Sequence, residues 1–315
     1  MKKVLLIALA TMLLLLSACA IAEPINVYAL KGPTGIGMSY LMDDTDSYAF
    51  TLAGAPDEIV AAVASGNADI AACPTNLAAT LNVKTNGGVQ LLGLNTLGVL
   101  HVVTSDPTID SIDDLAGRKV YATGQAGVPE YAIDYILEKN GLKESVELAY
   151  LAEHSELATL LAAGQAEIGI LPEPHVTSVL MQNKDMRAAL DVTAVFDETA
   201  KAAGNENMVL TMGCVLVRRD FAEKNPEKVA AFLDAYAASV EKVNADPAAA
   251  GEKVQEHGVM PKAAVAAKAI PNCHITFVVG EAMRAQVEPL YELLFSANPK
   301  SIGGKLPEDA FYYVR

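Results

Sequence analysis

Apolar positions along this chain switch repeatedly between the two-residue period of a strand and the 3.6-residue period of a helix. Residues 25–30, 48–53, 89–94, 99–104, 146–151 and 208–218 are short, apolar and β-rich, which predicts strands. Between them lie helical stripes. The clearest is Val229, Phe232, Leu233, Tyr236, Val240 and Val243, which fall on one helical face. Pro56 followed by Asp57 and Glu58 predicts a helix start, as does Asp246-Pro247. Thr75 is the expected cap of a short helix over 76–81, and 130–139 and 281–295 predict two more. Strands alternating with helices predict an α/β fold on mainly parallel sheets.

Residues 25–38 set the pattern. Ile-Asn-Val-Tyr-Ala-Leu predicts a strand, and Lys31-Gly32-Pro33-Thr34-Gly35-Ile36-Gly37 predicts a sharp loop. A helical run is expected to begin at Met38. A tight strand-to-helix turn leaves backbone N–H groups unpaired, and these attract an anion or polar ligand. Lys31 adds a positive charge there.

The chain repeats itself. Glu58-Ile-Val-Ala-Ala-Val-Ala-Ser-Gly-Asn-Ala-Asp-Ile-Ala-Ala-Cys-Pro74 is echoed by Glu156-Leu-Ala-Thr-Leu-Leu-Ala-Ala-Gly-Gln-Ala-Glu-Ile-Gly-Ile-Leu-Pro172. Each copy predicts a helix, a glycine C-cap, a buried strand and a proline-bearing loop. A strand and glycine loop precede each, at Val27-Tyr28-Ala29 and at Val120-Tyr121-Ala122. Two matched units imply two lobes, and ligands of such sheets bind at the carboxyl ends of strands. Four loops then line one cleft: 31–37, 73–76, 124–129 and 171–174. The expected division is 25–103 with 213–315 for the first lobe and 104–212 for the second. The expected crossings are strands near 102–105 and 211–215, with the C-terminal helices on the first lobe.

The net charge of −15 excludes nucleic acid and anionic lipid surfaces as partners. Lys2 and Lys3 followed by an apolar run to Leu16 predict an export signal over 1–18, too short to span a bilayer. It ends in Leu16-Ser17-Ala18-Cys19, which resembles the bacterial lipoprotein signal and implies Cys19 as the acylated N-terminus. Cleavage after Ala22 is the rival, because Ala20-Ile21-Ala22 also fits a small-x-small rule. Cys73, Cys214 and Cys273 have no Cys-x-x-Cys spacing and predict buried free thiols rather than a metal site.

Several motifs carry a family resemblance. They are the repeat, Ile112-Asp-Asp-Leu-Ala-Gly-Arg-Lys-Val-Tyr121, Leu171-Pro-Glu-Pro174, Asn225-Pro-Glu-Lys-Val-Ala-Ala-Phe232 and Gly303-Gly-Lys-Leu-Pro-Glu-Asp-Ala-Phe-Tyr-Tyr313. Together the chain resembles bacterial solute-binding proteins of the type 2 periplasmic-binding-protein fold, in the nitrate/sulfonate/taurine and thiamine-precursor group. The resemblance implies a two-lobed fold with a two-strand hinge, capture of a small anionic or zwitterionic solute by closure, and docking to an ABC permease with a separate ATPase. No Walker loop is present, so the chain is not the ATPase. The resemblance also implies an exported, lipid-anchored monomer with no cofactor and no metal. Enzymes on the same fold, chorismate dehydratase-like or pyrimidine-synthase-like, are the alternative. The sequence holds no His-Glu-x-x-His and no Gly-x-Ser-x-Gly.

The expected ligand set follows the loops. From the first lobe it takes Lys31, Gly32, Pro33, Thr34, Gly35, Gly54, Ala55, Pro74, Thr75, Asn76, Asn95 and Thr96. From the second it takes Gln125, Gly127, Pro129, Glu130, His154 and Glu173, with Met212 at the crossing. Glu173 opposite Lys31 is the expected acid partner for a basic group on the ligand.

Overall fold

The computed structural model describes residues 23–315; the expected export signal over 1–18 and Cys19 lie outside them. Among the described residues no helix is long and apolar enough to cross a membrane. Cys73, Cys214 and Cys273 are buried free thiols.

The first sheet begins with β1 (Ile25–Leu30), β2 (Tyr48–Ala53), β3 (Ile70–Pro74) and β4 (Val89–Leu97). The second holds β5 (Leu100–Thr104), β6 (Lys119–Ala122), β7 (Glu147–Tyr150), β8 (Ile168–Pro172) and β9 (Arg187–Asp191). The chain then returns to the first sheet with β10 (Thr211–Arg218) and β11 (Ile275–Val278). The strand orders are β11-β4-β10-β3-β1-β2 and β7-β6-β8-β5-β9. The repeat is visible in the pairing. β1 runs parallel to β2 and β3, and β6 runs parallel to β7 and β8.

Each sheet is mixed rather than mainly parallel. β10 is antiparallel to β3 and β4, and β5 is antiparallel to β8 and β9. The reason is geometric. β3 and β8 end toward the other lobe, at Pro74 and Pro172. A strand arriving from the other lobe enters beside those ends, so Gly213 pairs with Pro74 and Leu100 with Pro172. It must then run the opposite way.

The crossings sit a few residues from where the sequence suggests. Residues 102–104 lie inside β5, which is buried along its length in the second sheet. The first crossover is therefore Gly98–Val99, and the second is the segment 203–210 ahead of β10. Cuts at 103/104 and 212/213 would pass through β5 and β10. A Cβ on Gly98 would fall 2.0 Å from Thr193 Oγ1, so the crossover threads a gap that only glycine fits.

Two helix starts also differ. The helical turn after β1 is Pro33–Ile36, one turn only, and no helix begins at Met38. Gly37 lies against Tyr236, with room for no side chain: a Cβ would meet its hydroxyl at 2.9 Å. Thr75 is the first residue of the Thr75–Lys84 helix, with Pro74 in the cap position, so its side chain caps nothing. The Pro56–Ser65 and Pro247–Glu256 helices start as their sequences indicate, the latter with the Asp246 carboxylate accepting from Ala249 N–H. On the first lobe the Pro226–Ala245 helix buries Phe232 between Tyr48 and Tyr236, with ring centroids 5.9 and 5.7 Å away. The Gly280–Ala297 helix lays Tyr291 against the Thr75 carbonyl, to which its hydroxyl donates at 3.0 Å.

Candidate functional site

Between the sheets lies a cleft of about 1180 Å³. Its walls are the turns that follow strands: Lys31–Thr34 after β1, Pro74 and Asn76 after β3, Gly124–Pro129 after β6, and Pro172–Pro174 after β8. Thr96 near the end of β4, Val99 in the first crossover and Met212 in β10 complete the lining. Of the expected set, Lys31, Gly32, Pro33, Thr34, Pro74, Asn76, Thr96, Gln125, Gly127, Pro129, His154, Glu173 and Met212 line this space.

The others stand behind it, each with a structural duty. Gly35 presses on β1, where a Cβ would sit 2.5 Å from the Leu30 carbonyl. Gly54 and Ala55 give their N–H groups to Glu58 Oε1 at 3.0 and 3.1 Å, closing the turn before the next helix. Thr75 is fully buried under Tyr291. Asn95 donates from Nδ2 to the Thr34 carbonyl at 3.0 Å and so holds the first loop in place. Glu130 accepts from Ala126 N–H at 2.5 Å and stiffens the Gly124–Gly127 turn.

The backbone offers less than expected. Lys31 N–H goes to Ala53, Gly32 N–H to Val259 and Gly35 N–H to Gly32, while Pro33 has none. Within the Lys31–Thr34 turn only Thr34 N–H takes no backbone partner, so the turn offers one free backbone donor rather than several. Seven prolines line the cleft, among them Pro33, Pro74, Pro129, Pro172 and Pro174. They supply no backbone donors.

Charge on the lining side chains is one-sided. Lys31 and Lys262 both line the cleft, are solvent-exposed, and make no ion pair among the described residues. The one carboxylate in the lining, Glu173, is only 2% exposed and already engaged. Its Oε2 accepts from Thr177 N–H at 3.0 Å, and its Oε1 accepts from Thr177 Oγ1 at 3.0 Å and Asn272 Nδ2 at 3.3 Å. Burial pushes its pKa above the ordinary carboxylate value, against the pull of the Thr177 hydrogen bonds, His101 and Asn272. Glu173 thus anchors the His175–Gln182 helix and ties it to the first lobe, instead of facing a ligand amine.

Two histidines sit together in the second lobe's wall. His154 and His175 have ring centroids 5.5 Å apart and planes at 46°. Burial lowers the pKa of both, and with His154 beside it His175 is pushed down to about 4. Both are neutral at physiological pH. His154 Nδ1 shares a 2.7 Å hydrogen bond with Thr123 Oγ1.

The sequence reading missed His175, Ser178 and the wall formed by Gly258–Lys262 and Val265. His175 directly follows the Leu171–Pro174 motif and was open to discovery from it. The Gly258–Lys262 turn carries no repeat partner and no motif, so the pattern of the two copies could not reach it.

A family model described as NMT1/THI5 like matches residues 51–250, more than half of the chain. The chain belongs to the NMT1/THI5 like family. A sequence search of curated proteins finds no match. Among solved structures, an ABC transporter protein from Parabacteroides distasonis superposes with TM-score 0.79 at 24% identity, over 93% of this chain and 99% of that one. The periplasmic aliphatic sulphonate binding protein SsuA from Escherichia coli gives 0.70 at 15% identity, over 93% and 92%. The alkanesulfonate-binding protein SsuA from Xanthomonas axonopodis pv. citri, bound to MOPS, gives 0.59 at 15%, over 91% and 96%. At these identities the likeness establishes the fold, a two-lobed binding-protein architecture.

Proposed function

We propose that this NMT1/THI5 like protein captures a small organic anion between its lobes and hands it unchanged to an ABC permease served by a separate ATPase. The observation that carries the reading is the pairing of two uncompensated cations, Lys31 and Lys262, with a mostly apolar, proline-rich cleft whose only carboxylate is engaged. An apolar body with an anionic end fits such walls. A zwitterion fits less well, because no free acid faces its amine. Closure of the lobes removes water and strengthens each charge contact. Two structural relatives bind aliphatic sulphonates, which supports the same chemistry here. Export, a lipid anchor at Cys19 and a monomeric state complete the proposal.

A thermal-shift panel of ethanesulfonate, taurine, benzoate, nitrate and a pyrimidine monophosphate tests it. A solute that binds only the folded state raises the melting temperature. At least one anion is expected to do so, and the Lys31→Ala/Lys262→Ala variant to lose the shift. Conversion of the bound solute, seen by NMR, would contradict the non-catalytic reading.

A further inference from the structure

The cleft reading leaves the histidine pair without a task. His175 is half-buried at the start of its helix, and neither ring nitrogen finds a hydrogen-bond partner among the described residues. His154 lines the same wall and uses only Nδ1, toward Thr123, so its Nε2 is unspent. Both rings line the cleft, so their idle nitrogens are within reach of a ligand that enters it.

The spacing limits what that partner is. An imidazole nitrogen lies about 2.0–2.1 Å from a divalent transition metal, so two rings on adjacent positions of one ion have centroids roughly 4.5–5 Å apart, the shorter value for the right angle of a six-coordinate chelate. The observed separation is 5.5 Å. Imidazole is a preferred donor for zinc, copper, iron and nickel. The bond from Thr123 to His154 Nδ1 fixes one ring as metal-binding histidines are fixed, through the nitrogen that does not ligate. A cleft of about 1180 Å³ is far larger than a bare ion requires. Two histidines alone also leave a metal under-coordinated.

We propose that His154 and His175 complete the coordination of a divalent transition metal that enters the cleft inside a small anionic chelate. The chelate's carboxylates would face Lys31 and Lys262, and the imidazoles would take two open positions on its metal. This deepens, and rests on, the reading of the cleft as an organic-anion site.

The probe is Co(II)–nitrilotriacetate, which keeps two coordination positions free and reports ligation in its visible absorption. Added to the mature chain without an affinity tag, it is expected to raise the melting temperature and shift the cobalt bands. Metal-free nitrilotriacetate should do neither to the same extent. His154→Ala and His175→Ala should each weaken binding at least tenfold, with circular dichroism unchanged. His257→Ala should bind as wild type; that half-buried residue shares a hydrogen bond with Asp43 and does not line the cleft. Unchanged cobalt bands, equal binding of the metal-free chelator, or binding of bare Co(II) that ignores nitrilotriacetate would each overturn the proposal. If metal-free anions still bind while the chelate does not, this inference fails and the anion reading stands. If nothing in either panel binds, both fail.

Discussion

Glu173 shows what a single residue position hides from a sequence. Its place at a strand end was legible from the repeat, and the residue does reach the cleft. Its burial was not legible, because the groups that bury it come from 99 residues away at Asn272 and from one turn ahead at Thr177. A carboxylate whose folded pKa stands above its unfolded value adds stability that is fully present below the unfolded pKa and is lost as pH rises through the folded one. Wild-type stability should therefore decline from pH 4.5 upward more steeply than that of Glu173→Gln. Paired thermal melts across pH 4 to 8 read the difference, and parallel curves would show that the carboxylate is not the titrating group. Lys31 was legible for the opposite reason: an exposed cation at a loop needs no distant partner to define it. Lys262 lay in a stretch with no motif.

Elements were legible where a local period and a repeat agreed. β1, β3, β6 and β8 appear as read, because βαβ units are local, while the helix starts after β1 and β3 are displaced. The crossings were displaced because β5 is an apolar run whose pattern does not say which sheet it joins; β8 and β9 pair with its two edges in the second sheet. The tight Gly98–Val99 link is enforced by Thr193. Gly98→Ala should cost roughly 2 kcal/mol, the scale of overpacking a close contact, measured by urea unfolding. Adding Thr193→Ala should restore part of this, since the 2.0 Å clash with Oγ1 disappears while the 2.8 Å contact with Cβ remains. Additive losses in the double variant would mean the two residues do not share the strain.

At the scale of the whole molecule, three side-chain hydrogen bonds span the lobes. Asn272 donates to Glu173 at 3.3 Å, His274 Nδ1 meets the Gly98 carbonyl at 2.5 Å, and Asn298 donates to the Tyr131 hydroxyl at 3.0 Å. The first two lie beside the first crossover, where Glu173 N–H also bonds the Val99 carbonyl. Asn272→Ala removes the only side-chain tie from the first lobe to Glu173 among the described residues. It is expected to enlarge the radius of gyration in small-angle scattering while leaving the melting temperature within a few degrees, because Asn272 itself is exposed. An unchanged radius would show that this bond does not restrain opening.

The central claim is that two cleft cations select an organic anion that leaves unaltered. Calorimetric titration with the strongest anion of the panel, on wild type and on Lys31→Ala/Lys262→Ala, tests it most directly. One binding site per chain, at least tenfold weaker affinity in the variant and a solute recovered intact are the predicted results. Equal affinity in both proteins would contradict the placement of the site, and a chemically altered solute would contradict the function.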